Sequence, residues 1–330
     1  MKQRNEAIDI LKGIGIILVL TAHSLEGFVS QFAYTFHMPL FFIVTGLFIS
    51  EYSKSTDMSY GLWHWNTTKK DFRRLMIPAL FTIGIILIVS SMSYLYPNSY
   101  LQNPVELIWN GHPERPIDHI VMLGNLWFLF ALFFAKQSFY WAKLISSDKV
   151  LPFFCLAVGA LIVAVGRYAV LPIGMSVGIS VLPFIWIGYY LKHHGGVDQG
   201  IPRWFYLSIL IWAVYVFYGK LRVGTMTYSW GYIPDIVSAC GGTLFFYIVS
   251  KQISKRTRYL RKVLSFLGVY SLLLICAPSI ETYCFPMQEV LPQMPFRSIV
   301  VITGKVTWCV IFVFACIRIP FLRKVFGIIR

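Results

Sequence analysis

Apolar runs of about 20 residues recur along almost the whole chain, separated only by short stretches of Pro, Gly and charge. A run of that length crosses a hydrocarbon core of about 30 Å as a helix, and a spanning segment must satisfy its own backbone, which leaves few alternatives to a helical bundle. Composition points the same way. Of 330 residues, 57% are hydrophobic and only 13% charged, against about 25% charged in an ordinary soluble domain. Disordered, collagen-like and disulfide-scaffold readings are excluded, and a soluble enzyme does not fit. The expected fold is all-α: a polytopic transmembrane bundle of about ten spans, at 8–28, 36–52, 75–96, 119–142, 150–167, 173–192, 203–219, 231–250, 263–285 and 297–318. Positions 1–330 read as a single integral-membrane domain, with no repeat, linker or low-complexity tract.

The net charge of +15 could attract nucleic acid, but its distribution says otherwise. Lys2, Arg4, Lys69, Lys70, Arg73, Arg74, Lys136, Lys143, Lys251, Lys255, Arg256, Arg258, Arg323 and Lys324 are among the many cations on one side of the expected spans. Arg115, Arg167, Lys220, Arg222 and Arg297 are the few on the other. That asymmetry places both termini in the cytoplasm, with the bilayer rather than nucleic acid as partner. The first span carries Asp9, Lys12 and His23, so it is not read as a cleavable signal peptide. The six cysteines lie mostly in apolar runs without metal-ligand spacing and are read as packing residues. No metal is expected.

Ionisable groups inside spans usually face a cavity or one another. Lys12 and His23 are eleven residues apart, which puts them on one helix face about 16 Å apart along the axis. Asp9 lies one turn before Lys12 and Glu26 one turn after His23, so a polar stripe runs along the first helix. The plainer alternative is a snorkelling Lys and a His at the helix end. His37 opens the second span, with Pro39 in the first turn, where a missing N–H is harmless. A short connection then brings His37 toward His23 near the outer end, and two imidazoles supply a base and a hydrogen-bond partner near neutral pH. Arg73 and Arg74, with Lys69 and Lys70, read either as a topology signal meeting anionic headgroups or as a contact for donor phosphates. Trp127 is either packing or a wall of the site. Glu281 reads as interfacial, Lys305 as a buried cation whose partner the sequence does not name, and Lys220 and Arg222 as outer-loop cations able to meet an anionic glycan.

The run Asp9-Ile10-Leu11-Lys12-Gly13, then His23, then Phe36-His37-Met38-Pro39-Leu40-Phe41-Phe42 resembles the opening of the acyltransferase-3 family of multi-pass membrane O-acyltransferases. Arg74-Leu75-Met76-Ile77-Pro78, Leu126-Trp127-Phe128-Leu129 and Leu182-Pro183-Phe184 continue the resemblance, which is closest to the stand-alone, fucose 4-O-acetylase-like branch. A further extracytoplasmic domain is not expected. The resemblance implies an acyl-CoA donor, with acetyl-CoA expected, and no bound cofactor. It implies a hydroxyl acceptor on a cell-surface or lipid-linked glycan, a site in the bacterial cytoplasmic membrane, and His23 and His37 as essential groups. On this reading His23 is the general base, Glu26 orients it, His37 positions the acceptor or stabilises the oxyanion, and Lys12 with Asp9 meets the donor or structures the cavity. Many members have Arg where this chain has Lys12, which keeps the charge but not the bidentate fork. Pro278 stands where many members carry a late His. The rivals are a transporter or glycan exporter using Asp9, Lys12 and His23 as a relay, and a scaffold for a glycan-synthesis complex.

Overall fold

The computed structural model describes residues 5–22, 27–53, 58–91, 124–166, 171, 174–195, 197, 201–285, 287 and 296–328. His23 and Glu26 therefore lie outside the described residues, as does the stretch between the third and fourth expected spans. The helices in chain order are α1 Glu6–Ala22, α2 Phe28–Tyr34, α3 His37–Leu47, α4 Tyr60–Asp71, α5 Ile77–Ser91, α6 Trp127–Ile145, α7 Leu151–Val165, α8 Met175–Ser180, α9 Leu182–His193, α10 Leu207–Tyr218, α11 Tyr232–Arg256, α12 Arg258–Val269, α13 Ser271–Cys284, α14 Arg297–Arg318 and α15 Pro320–Val325. A small hairpin, β1 Leu221–Arg222 against β2 Thr227–Tyr228, is the only sheet among the described residues. Among the described residues 83% are helical, and the fold is all-α.

Four helical stretches among the described residues are long and apolar enough to cross a bilayer: Phe28–Leu47, Tyr60–Val89, Tyr232–Arg256 and Ile299–Arg318. The α12–α13 pair makes a fifth if taken as one broken span, bent by 70°. Three expected spans are corrected. The second begins at Phe28 rather than 36. The third begins at Tyr60, well before 75, so that the helix carries Lys69 to Arg74 within its length. The ninth is broken, because α12 ends at Val269 and Tyr270 intervenes before α13.

Two compact units emerge. The first comprises Met1–Phe48, Pro183–Leu274 and Ser298–Ile302; the second comprises Ile49–Leu182, Ile275–Arg297 and Thr303–Arg330. In the first unit, α1 packs on α12 through glycine. A Cβ at Gly13 would overlap the Leu264 carbonyl, and one at Gly268 would overlap the carbonyl of Asp9. Gly46 of α3 and Gly188 of α9 meet in the same way, each against the other's helix backbone. Lipid tails are as apolar as leucine, so helices in a membrane gain by close van der Waals approach, which small residues permit. The second unit repeats the device where Gly178 of α8 sits on the Ala131 carbonyl of α6. Cys155, Cys240, Cys276, Cys309 and Cys316 are buried free thiols and Cys284 is half-buried.

Candidate active site

The site begins with a helix that cannot continue. Pro39 has no N–H for the carbonyl of Thr35, and its ring crowds that carbonyl. The helix started at Phe28 therefore stops at Tyr34 and restarts at His37. Thr35 and Phe36 donate their N–H groups to Phe32 and Ala33 in a tightened last turn. Trp212 Nε1–H of α10 donates to Thr35 Oγ1 at 2.9 Å, and the Phe36 ring stacks on Phe246 of α11 with centroids 4.6 Å apart.

His37 is 1% exposed. Its Nδ1 lies 2.5 Å from the Ala33 carbonyl oxygen. A carbonyl only accepts, so Nδ1 carries a hydrogen and donates. The ring also meets Tyr34 edge-on, centroids 5.1 Å apart. The sequence places His37 at the outer end of a span. In the structure the seven-residue α2 precedes it in the same apolar stretch, which starts at Phe28. The sequence reading missed α2 because Gly27, with φ of 76°, starts the helix sooner than the apolar count suggests.

Lys12 and Asp9 form the expected pair on α1, with Nζ 2.9 Å from Oδ1 and side chains 22% and 10% exposed. The pair belongs to the same unit as His37, and α1 packs on α3 where Gly15 faces the Phe41 ring. A small apolar pocket in this unit is lined by Ile8, Leu11, Ile43, Leu47, Leu244 and Tyr247 among others. Such a lining suits hydrocarbon rather than nucleotide phosphates.

Arg73, Arg74 and Trp127 belong to the second unit. Arg73 and Arg74 are exposed on a π-helical stretch, Phe72–Met76, that joins α4 to α5. Inserted π turns of this kind often mark functional positions. Buried Asp71 precedes the stretch and forms an ion pair with Lys136 of α6; Gln137 and Tyr140 donate to its other oxygen at 3.4 and 3.3 Å. Lys136, read from sequence as one more cation of the cytoplasmic side, is the half-buried ion-pair partner of Asp71, next to the stretch that presents Arg73 and Arg74. The one signal for it is Asp71 itself, the single acid within Lys69-Lys70-Asp71-Phe72-Arg73-Arg74. Trp127 is half-buried at the start of α6, edge-on to Phe128.

Glu281, read from sequence as interfacial, is buried inside the protein. It is 1% exposed, its Oε2 lies 3.4 Å from Lys305 Nζ, and its Oε1 accepts the Met287 N–H at 2.9 Å. This supplies the partner that the sequence could not name for Lys305. Beside it, Ser279 and Tyr283 of α13 accept the backbone N–H groups of Asn125 and Gly124, each at 3.1 Å. Pro278, in the place of a late His, lies in this same polar stretch of α13. Among the described residues no three His, Cys, Asp or Glu side chains converge to hold a metal ion.

A family model described as an acyltransferase domain, that of the acyltransferase-3 family, matches residues 5–317. No curated protein and no solved structure gives a significant match. The matched residues take in both units, from α1 with its Asp9–Lys12 pair, through the His37 break and the π-helical stretch, to α14. The chain is therefore a membrane acyltransferase and belongs to the acyltransferase-3 family.

Proposed function

We propose that this acyltransferase moves an acetyl group from acetyl-CoA to a hydroxyl of a cell-surface or lipid-linked glycan, as the stand-alone O-acetylase branch it resembles does. The observation that carries the reading is the His37 ring, buried in the helix break with Nδ1–H committed to Ala33. That tautomer leaves Nε2 to accept a hydrogen bond, so His37 holds the acceptor hydroxyl. His23, oriented by Glu26, acts as general base: as the hydroxyl oxygen bonds to the thioester carbonyl carbon, its proton passes to His23. The tetrahedral intermediate then collapses, the C–S bond breaks, and the CoA thiolate leaves with that proton. A positioned imidazole contributes about 10²–10⁴-fold to such a step. Lys12, paired with Asp9, lies on the donor side, and Arg73 and Arg74 meet the donor phosphates. Trp127 forms a wall of the site. About ten crossings with both termini in the cytoplasm of a bacterial cell, across its inner membrane, bring the donor to this end.

The test is mass spectrometry of surface glycans from a deletion strain complemented with wild type or with His23→Ala. The reading expects acetylation to vanish on deletion, return with wild type and stay absent with a well-expressed His23→Ala chain. Acetylation unchanged on deletion refutes it.

A further inference from the structure

The hairpin is built to hold one guanidinium in place. Leu221, Val223 and Met226 are buried, and Met226 takes a left-handed backbone, φ 51°, to turn the chain. Arg222 alternates to the opposite face and is exposed. The hairpin's base is fixed from two sides. Gln31 Nε2–H donates to the carbonyls of Val216 and Gly219 at 3.1 and 3.2 Å, and the Lys220 N–H donates to Ser229 Oγ at 2.7 Å. The Arg222 guanidinium carbon sits 5.7 Å from the centre of the Tyr34 ring, the same ring that meets His37 at 5.1 Å. All of these residues belong to the first unit. Among the described residues no carboxylate pairs with Arg222. Solvation of a loop cation needs neither a braced hairpin nor an aromatic contact; an anionic ligand uses both, because a cation–π contact holds the guanidinium in place while its donors remain to meet a carboxylate.

We propose that Arg222 is the specificity residue for the acceptor and recognises a negatively charged group on it, a sugar carboxylate, while a hydroxyl of the same sugar reaches His37 beneath Tyr34. The proposal rests on the acylation reading above for its substrate. Tyr34 is the ring that both Arg222 and His37 contact. Arg222 touches no reacting atom on this account, so its loss weakens binding and leaves the chemical step alone.

The experiment uses the purified full chain in nanodiscs with two probes, p-nitrophenyl β-D-glucuronide and the neutral p-nitrophenyl β-D-glucoside. Equilibrium binding is expected to favour the glucuronide about tenfold, the scale of one charge-assisted hydrogen bond. Arg222→Gln abolishes the preference and Arg222→Lys keeps part of it. With acetyl-CoA present, Arg222→Gln raises KM for the glucuronide about tenfold and leaves kcat within about twofold. Equal affinity for the two probes, no binding of either, or a preference that survives in Arg222→Gln overturns the proposal. An Arg222-dependent preference without acetyl transfer keeps the recognition and refutes the acylation reading. Transfer that ignores Arg222 does the reverse.

Discussion

Replacing Glu281 with alanine leaves the Lys305 ammonium in an apolar setting without its carboxylate. The Glu281 side chain is 1% exposed and that of Lys305 11%, so water screens the pair little. Removing one member of a buried ion pair costs about 3–5 kcal/mol, and a lone Lys at the centre of a spanning helix about 2.5–3.5 kcal/mol. The slight exposure of Lys305 favours the lower end, about 3 kcal/mol. The acceptor lost to the Met287 N–H adds about 1 kcal/mol. At about 2–4 °C per kcal/mol, the thermal midpoint should fall by roughly 8–16 °C. Fluorescence-detected size exclusion after heating in detergent reads this directly. The double variant Glu281→Gln with Lys305→Met removes both charges and should recover most of the loss, since a neutral pair of similar volume carries no stranded charge. A Glu281→Ala midpoint equal to wild type, or a double variant no more stable than Glu281→Ala, would refute the reasoning.

The glycine crossings make an independent prediction. Gly268→Val drives a side chain into the backbone carbonyl of Asp9, which cannot move aside, so about 3 kcal/mol or more of stability is lost in the same heating assay. Gly61→Ala, where a Cβ meets nothing within 4 Å, should match wild type. At the α1 pair, Lys12→Arg should retain more acyl transfer than Lys12→Ala, because the charge opposite Asp9 is kept. Transfer rates of the two variants, normalised to folded protein, check it, and equal loss argues against a charge role.

What the sequence makes legible is what lies within one helix. Asp9 and Lys12 are three residues apart, and the 3.6-residue period alone pairs them. The break before His37 is also legible, because Pro39 acts on a carbonyl four residues away whatever the tertiary context. The start of the apolar stretch that holds His37 is not, since it depends on whether 28–34 is loop or helix, and apolar periodicity fits both. Glu281 with Lys305 and Asp71 with Lys136 join residues of different helices, so no spacing rule reaches them; Lys136 alone resembles a topology signal, and Lys305 alone shows only that a partner is needed. Arg222 is likewise ambiguous until the hairpin seats it on Tyr34. The bend at Tyr270 escapes for another reason: hydropathy counts residues along a chain and is blind to a change in axis direction.

The central claim, that paired imidazoles activate an acceptor hydroxyl against a thioester, is tested most directly by acceptor-dependent CoA release from acetyl-CoA in proteoliposomes carrying wild type, His23→Ala or His37→Ala. The account predicts release by wild type only when a glycan acceptor is present, and a fall of about 10²–10⁴-fold in each variant whose size-exclusion profile is unchanged. Wild-type rates from either folded variant, or CoA release that ignores the acceptor, would contradict it.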